Sequence, residues 1–398
     1  MVVTGVQTCA LPILVVKDKM PPRAFDFGLK DMEFSTSEKF TMIKHQKGLD
    51  YSKYMFFPGC QLSSTSPDYV KKVYEYLIST TSLGVGVMLD CCGAPAQWAG
   101  EEDLFQTNAE KLKKNWNNAG KPILILACSS CCNMFKKYIP EITFVSLWDY
   151  MVEHGIPENR EVSQKKTFAI HDACSTRYNQ KLQASVRKII KSLGYDIEEL
   201  ENSKEKTECC GYGGLSYYAN REQAEEHIKE RTQESTRDYV AYCSMCRDLF
   251  AKQGKRTLHV LDLIYGSDLD QLAQKKAPRL WERRDNRCVT KAMLLKLWNE
   301  DYSMYKGENC DTKTPKVKII LSEEIKNLME ERWILLQDVE KVIENAVYND
   351  EKFINPQNGH NLARKRLGST TYWVEYEQKN QEYFVINVYS HRMEVVEE

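Results

Sequence analysis

The chain has 398 residues, 42% apolar and 28% charged, an ordinary composition for a folded protein of roughly two or three domains. Its 55 Lys and Arg against 56 Asp and Glu leave a formal charge of −1, so no global basic field points to nucleic acid or an anionic membrane. The longest apolar runs, such as Ile123 to Ala127, are too short to span a bilayer, and 14 cysteines in so long a chain suit metal or redox thiols better than a disulfide-stapled secreted module.

Val3 to Ile13 (VTGVQTCALPI) lacks the basic start and the cleavage site of a targeting segment. It resembles the in-frame translation of a sequencing-library adapter. Residues 1–13 are therefore expected to be an artefact, with Cys9 outside any functional argument and the natural chain continuing upstream of Leu14. Residues 14–52 are charged and without a clear period, and read as a linker or partial helix. From Tyr54 the pattern becomes β/α. Tyr54–Pro58 reads as a buried strand ending at Gly59-Cys60, and Pro67 to Ile78 as a helix with proline in its first turn. Gly84–Leu89 is a second strand, ending at Cys91-Cys92-Gly93. Leu104, Phe105, Ala109, Leu112 and Trp116 mark a helix over 101–119 that stops at Gly120. Pro122–Ala127 is a third strand, ending at Cys128.

The same order returns in residues 161–266. Thr167–His171 reads as a strand ending near Cys174, Gln180 to Leu193 as a helix, and Asp196–Leu200 as a strand before Cys209-Cys210-Gly211. Arg221 to Thr232 is a helix and Asp238–Tyr242 a strand ending at Cys243. Cys60, Cys91, Cys128 and Val145 match Cys174, Cys209, Cys243 and Val260 at offsets of 114, 118, 115 and 115. A near-constant offset carrying both cysteines and elements marks an internal repeat, residues 53–160 and 161–266. Strands alternating with helices predict the α/β class, mainly parallel. Residues 267–316 read as a Lys- and Arg-rich connector with one helix around Val289–Trp298. Residues 317–398 read as a small α+β appendage: a helix from Ser322 to about Val347, then a hairpin of Thr370–Tyr376 and Tyr383–Val388.

Ten cysteines form two copies of one pattern. The first is Cys60, 30 residues, Cys91-Cys92, 35 residues, Cys128-Ser-Ser-Cys131. The second is Cys174, 34 residues, Cys209-Cys210, 32 residues, Cys243-Ser-Met-Cys246. Each copy puts thiols after three strands, and the carboxyl ends of parallel strands are where such sheets form ligand crevices. Five sulfurs exceed the four of a closed zinc site, whereas several irons can share them. The spacings favour an iron–sulfur centre, with zinc and an unmetallated thiol site as the alternatives.

The doubled pattern resembles the cysteine-rich CCG-domain family, over residues 54–266, with all ten family cysteines present. That family includes the B-type polypeptide of heterodisulfide reductase and iron–sulfur components of glycolate oxidase and lactate-utilisation systems. The resemblance implies two pseudo-symmetric α/β repeats, each holding a non-cubane [4Fe–4S] cluster. Cys60, Cys91, Cys92, Cys128 and Cys131 would bind one; Cys174, Cys209, Cys210, Cys243 and Cys246 would bind the other. It implies a cytoplasmic iron–sulfur oxidoreductase subunit that takes electrons from a partner and reduces a small disulfide or similar substrate. The alternatives are an electron-transfer subunit of a flavin-dependent hydroxy-acid dehydrogenase and a non-catalytic zinc-stabilised interaction module. The chain has no Rossmann GxGxxG after a strand and no ferredoxin-like cysteine run. Electrons are therefore expected from a cubane-cluster (ferredoxin-like) module and a flavoprotein, fused upstream or separate, with residues 14–52 as the tether.

Other residues carry two readings each. Gly211-Tyr-Gly213-Gly214, and Gly93-Ala-Pro95 in the first repeat, either aim N–H groups at sulfur or are plain turns. His171 is either a general acid or a strand-end histidine packed under the site. Arg177 either holds an anionic substrate or lies on the surface. Cys132, Cys288 and Cys310 read as simple thiols. Lys275–Lys296 reads as a solvated basic face, and His360 and Ser390-His391-Arg392 as hairpin surface or core. Tyr372, Trp373, Tyr376, Phe384 and Tyr389 read as a packed strand face.

Overall fold

The computed structural model describes residues 22–157, 166–302, 317–368 and 370–391. Residues 1–13, with Cys9, and Cys310 lie outside them. The chain divides into two compact units, Met1–Pro278 with Asp285–Tyr305, and Arg279–Arg284 with Lys306–Glu398.

The first unit holds two sheets. The first contains β1 (Met42–Lys44), β2 (Tyr54–Phe57), β3 (Val85–Leu89), β4 (Ile123–Leu126) and β5 (Phe144–Ser146) in the order β1-β3-β2-β4-β5. The second contains β6 (Thr167–His171), β7 (Asp196–Glu199), β8 (Tyr239–Ala241) and β9 (Thr257–His259) in the order β7-β6-β8-β9. Every pairing is parallel except β1 with β3. Without β1 the two orders are identical, so the duplication read from the cysteines is a duplication of topology. The strands are apolar where helices cover both faces: all five residues of β3 and all three of β8 are buried. The edge strand β7 is Asp-Ile-Glu-Glu and half open, which discourages further pairing. The helix Gln180–Ser192 buries Leu182, Val186, Ile189 and Ile190, one helical stripe, and Asn179 caps it by accepting the Leu182 N–H at 3.2 Å.

Four details differ from the sequence expectations. Residues 14–52 are not a linker throughout, because the helix Asp26–Thr36 buries Phe27 and Met32, and β1 adds an antiparallel edge to the first sheet. Residues 267–316 are not only a connector, since the helix Leu280–Leu297 sends Arg287 and Thr290 into the first unit. The fourth repeat anchor is Ser146 with His259, which occupy matching ends of β5 and β9 and cap the helices that follow. Val145 and Val260 are two positions out of step with each other in that register. The helix from Ser322 is two, Glu323–Glu331 and Leu336–Asn349, the break following Arg332. Ser322 does start it, accepting the Ile325 N–H at 3.2 Å.

The second unit has a sheet of β10 (Lys318–Ile320), β11 (Lys352–Ile354), β12 (Asn361–Leu367), β13 (Thr370–Lys379) and β14 (Glu382–His391), ordered β10-β14-β13-β12-β11. The expected hairpin is β13–β14. Its aromatics serve two faces rather than one: Tyr372 and Tyr376 are buried, whereas Trp373 and Tyr389, paired across the strands, stack on the other face at 5.8 Å. His360 bonds Glu375 at 2.9 Å, and His391 accepts the Trp373 indole N–H at 2.9 Å. No helix among the described residues is long and apolar enough to cross a membrane.

Candidate functional site

Parallel strands deliver the cysteines to one end of each sheet. Cys60 follows β2, Cys91 and Cys92 follow β3, and Cys128 follows β4, with Cys131 one turn into the helix Ser129–Tyr138. Cys174 follows β6, Cys209 and Cys210 lie beyond β7, and Cys243 follows β8, with Cys246 in the helix Ser244–Lys252. Cys128 and Cys243 occupy the N-cap positions of these helices, where unpaired amides favour a thiolate.

Within each repeat the five thiols form a row of interacting neighbours. The first runs Cys60, Cys91, Cys92, Cys131, Cys128. The second runs Cys174, Cys209, Cys210, Cys246, Cys243, with Cys174 Sγ 4.0 Å from Cys209 Sγ. The sequence motif is thus brought together ten for ten, and the twelve described cysteines are all free thiols. Among the described residues no three His, Cys, Asp or Glu side chains are arranged to hold a single metal ion.

Proton affinity differs from thiol to thiol along the rows. Cys92 is pulled down to about 6 by the thiols of Cys131 and Cys91, and Cys128 is lowered by Cys131 and by the amides of Cys131 and Ser130. Cys209 is held well down by the thiols of Cys174 and Cys210 and by the N–H groups of Gly213 and Gly211. Cys243 is lowered by Cys246 and by the amides of Cys246 and Met245. Cys60, Cys131 and Cys246 are raised by the neighbouring thiols and by burial. Each row therefore has thiols ready to ionise, the state that binds metal.

The glycine of each Cys-Cys-Gly is required twice over. Gly93 has φ +81° and Gly211 φ +85°, left-handed conformations that side chains resist. A Cβ at Gly211 would lie 2.7 Å from Ile228, and one at Gly93 2.9 Å from the Asn108 amide, which donates to the Cys91 carbonyl. The Gly93 N–H lowers Cys91 as Gly211 and Gly213 lower Cys209, although burial and the Cys92 thiol leave Cys91 raised overall. These loops are more than turns.

The two rows face one cavity of about 80 Å³, lined by nine of the ten cysteines; only Cys209 is set back. Leu62, Pro95, Trp98, Tyr212 and Met245 are among the other residues of its wall. The repeats are joined around it by polar contacts: Ser175 Oγ donates to Ser129 Oγ at 2.9 Å, Thr65 Oγ1 to Asp248 at 3.2 Å, and Tyr69 Oη to Asp262 at 2.6 Å. Trp98 of the first repeat meets Tyr212 of the second edge to face at 6.3 Å.

Charges are buried behind the rows. Arg287 makes a bidentate pair with Asp31 at 2.6 and 2.8 Å, and its Nε donates to the Cys60 carbonyl at 3.1 Å. Asp172, next to Cys174's loop, accepts two bonds from Arg187, one from the Tyr242 hydroxyl and one from the Lys204 N–H. Asp90 accepts the Cys91 N–H at 2.8 Å, and burial pushes its carboxyl up to about 7. Sequence reasoning missed Asp31, Asp90 and Arg287. Asp31 and Arg287 are lone charges in helices, with no local signature of burial, whereas the one available signal for Asp90 is its place directly before Cys91.

His171 sits at the end of β6, wholly buried, and is not among the residues lining the cavity. Its Nδ1 accepts from Arg231 at 3.3 Å, its ring meets Phe250 edge to face, and burial together with the Arg231 charge pushes it down to about 3. His171 is thus packed at the strand end against Arg231 and Phe250, apart from the residues that line the cavity. Arg177 is half-buried and donates to the Thr207 carbonyl rather than facing the cavity. Cys132 is buried beside the first row, its thiol raised by burial, and Cys288 lies in the helix Leu280–Leu297.

Residues 54–136 and 168–249 each match the family model described as a cysteine-rich domain, CCG, so the chain carries two copies of that domain. The chain is similar to an EtfAB:quinone oxidoreductase of Syntrophomonas wolfei, with 27% identity over 176 residues, 41% of this chain and 24% of that protein. It is also similar to an uncharacterised iron-sulfur protein of Methanocaldococcus jannaschii, with 27% identity over 169 residues, 40% of this chain and 32% of that protein. The chain thus spans about a quarter and about a third of the length of these relatives.

Proposed function

We propose that this chain is an iron–sulfur oxidoreductase subunit of the heterodisulfide-reductase B type, which takes electrons from a partner and reduces a small disulfide. The observation that carries the proposal is the pair of five-thiol rows facing one cavity. Five clustered thiols fit a polynuclear centre, whose irons share sulfurs, better than one tetrahedral ion. Cys60, Cys91, Cys92, Cys128 and Cys131 would hold one non-cubane [4Fe–4S] cluster, and Cys174, Cys209, Cys210, Cys243 and Cys246 the other. The clusters would supply one-electron chemistry: a disulfide takes two electrons and two protons, its S–S bond breaks, and two thiols leave.

The protein's own part is positioning. Gly211 and Gly213 direct N–H groups to the Cys209 sulfur, and the helix N-termini do the same for Cys128 and Cys243. Leu62, Pro95, Trp98 and Met245 give the space between the thiols apolar walls. A cytoplasmic setting, which keeps thiols reduced, suits the free cysteines. A cubane-cluster module and a flavoprotein would deliver the electrons.

Anaerobic purification with iron and sulfide analysis, followed by turnover of a disulfide panel with reduced viologen, tests the proposal. About eight irons per chain and viologen oxidation coupled to thiol release are expected from two four-iron clusters. Stoichiometric zinc without iron would establish the metal-stabilised interaction module instead. Similarity to the EtfAB:quinone oxidoreductase favours a second reading, a conduit between a flavoprotein and an electron acceptor. Iron-loaded protein that reduces no disulfide but accepts electrons from a reduced flavoprotein would decide for it.

A further inference from the structure

A matched strand-end position differs between the two repeats. Phe57 ends β2 opposite Leu126, and His171 ends β6 opposite Ala241. Leu126 and Ala241 each stand two residues before a matched cysteine, Cys128 and Cys243. Both rings are wholly buried, and each meets a matched phenylalanine edge to face. Phe57 meets Phe135 at 5.5 Å, and His171 meets Phe250 at 4.7 Å. A phenyl ring serves this packing in the first repeat, so packing does not account for an imidazole in the second. What the imidazole adds is one free N–H. Arg231 can only donate, and it bonds Nδ1 at 3.3 Å, so in the neutral ring the proton lies on Nε2. Nε2 is buried and meets no acceptor among the described residues. A buried donor left without an acceptor is costly, so one that persists calls for a partner.

The ring lies beside the second thiol row. Ile228 and Arg231 are neighbours one turn apart on the helix Arg221–Gln233. Arg231 holds His171, and Ile228 is the side chain that a Cβ on Gly211 would strike at 2.7 Å, directly after Cys209-Cys210. The charge of Cys209 is felt at the imidazole. We infer that the Nε2–H of His171 donates to sulfur on the Cys209 side of the second centre and makes that centre easier to reduce. A donor favours the more negative sulfur of the reduced state, and so raises the reduction potential. Phe57 offers the first centre no such group. His171 is thus a positioning and tuning residue that makes the two centres unequal. The inference rests on the iron–sulfur reading above and adds to it a difference between the repeats.

The test is a redox titration of the iron-loaded full chain, prepared anaerobically and followed by electron paramagnetic resonance. His171→Asn keeps an acceptor for Arg231 and removes the donor at Nε2, whereas His171→Gln returns an amide N–H near that place. In His171→Asn one of the two potentials is expected to fall by about 59 mV, a tenfold change in a one-electron equilibrium, while the other stays. His171→Gln is expected to recover about half of the shift or more. Unchanged potentials in iron-replete His171→Asn, or an equal shift in both, overturn the inference and leave the iron–sulfur reading standing. A second measurement needs no variant. With histidine labelled in heavy nitrogen, the reduced wild-type chain should show a weak coupling to a nitrogen that is not a ligand, read by pulsed resonance. Its absence overturns the inference even where His171→Asn loses its iron. Wild-type protein that assembles no iron–sulfur centre overturns the reading itself, and the inference with it.

Discussion

Asp31 and Arg287 are 256 positions apart, yet they form a bidentate ion pair in which the guanidinium is fully buried behind Cys60. Each comes from a helix outside the repeated cysteine domains. Against the opposing effect of burial, the Asp31 carboxylate holds Arg287 firmly protonated. Asp31→Asn would leave that charge without a counter-ion and should cost about 3–5 kcal/mol, read as a lowered denaturant midpoint. Pairing Arg287→Met with Asp31→Leu should recover much of the loss, because the desolvation penalty goes with both charges. A double variant no more stable than the single one would contradict this account.

Two separate rows predict two separable metal sites. Iron per chain should fall by about half in Cys209→Ala with Cys210→Ala, the remainder being held by the first repeat. Loss of all the iron, or of none, would contradict independent sites.

Gly211→Ala should damage the second site alone. The new Cβ meets Ile228 at 2.7 Å in a backbone conformation that alanine resists. The strain is worth about 1–3 kcal/mol, and relieving it would shift the N–H aimed at Cys209. Lower thermal stability and loss of iron beyond the wild-type level, with the first site retained, are expected. Unchanged melting and iron content would refute the role given to this glycine.

Acid should destabilise the chain partly through His259. Its Nδ1 accepts the Leu261 N–H at 3.2 Å while Asp262 accepts the His259 N–H at 2.6 Å, a reciprocal cap. Burial and the Arg247 charge push the imidazole down to about 4. The unfolded chain, with an ordinary value near 6.5, takes up a proton that the folded chain refuses. Stability is therefore full above about pH 6.5 and falls as pH drops toward about 4, by up to roughly 3 kcal/mol. His259→Asn keeps a capping acceptor without a titrating ring. Its urea midpoint should fall less than that of wild type between about pH 7 and about pH 5. An equal fall would sink the assignment.

Much of the local structure was legible in the residues themselves. Apolar runs such as Ile123–Leu126 are strands because parallel strands are covered on both faces, and Pro67 opens its helix because its missing N–H is not needed there. The cysteine spacing located ten thiols in the segments that follow the strands, and the structure added the order in which they interact. The contributions of residues 22–44 and 280–297 were not legible. Phe27 and Met32 pack according to partners far along the chain, and β1 is a strand only because β3 offers it an edge.

By itself, then, the sequence determined the duplication, the strand-and-helix order and the thiol inventory, because periodicity and spacing are local properties that survive without knowledge of contacts. Only the tertiary structure decided that both rows share one cavity and that His171 turns to Arg231 beneath the site. It alone paired Arg287 with Asp31 behind Cys60. Each of these depends on burial and on contacts between distant segments, and a charged or polar residue carries no mark in its own neighbourhood of the environment into which folding will place it.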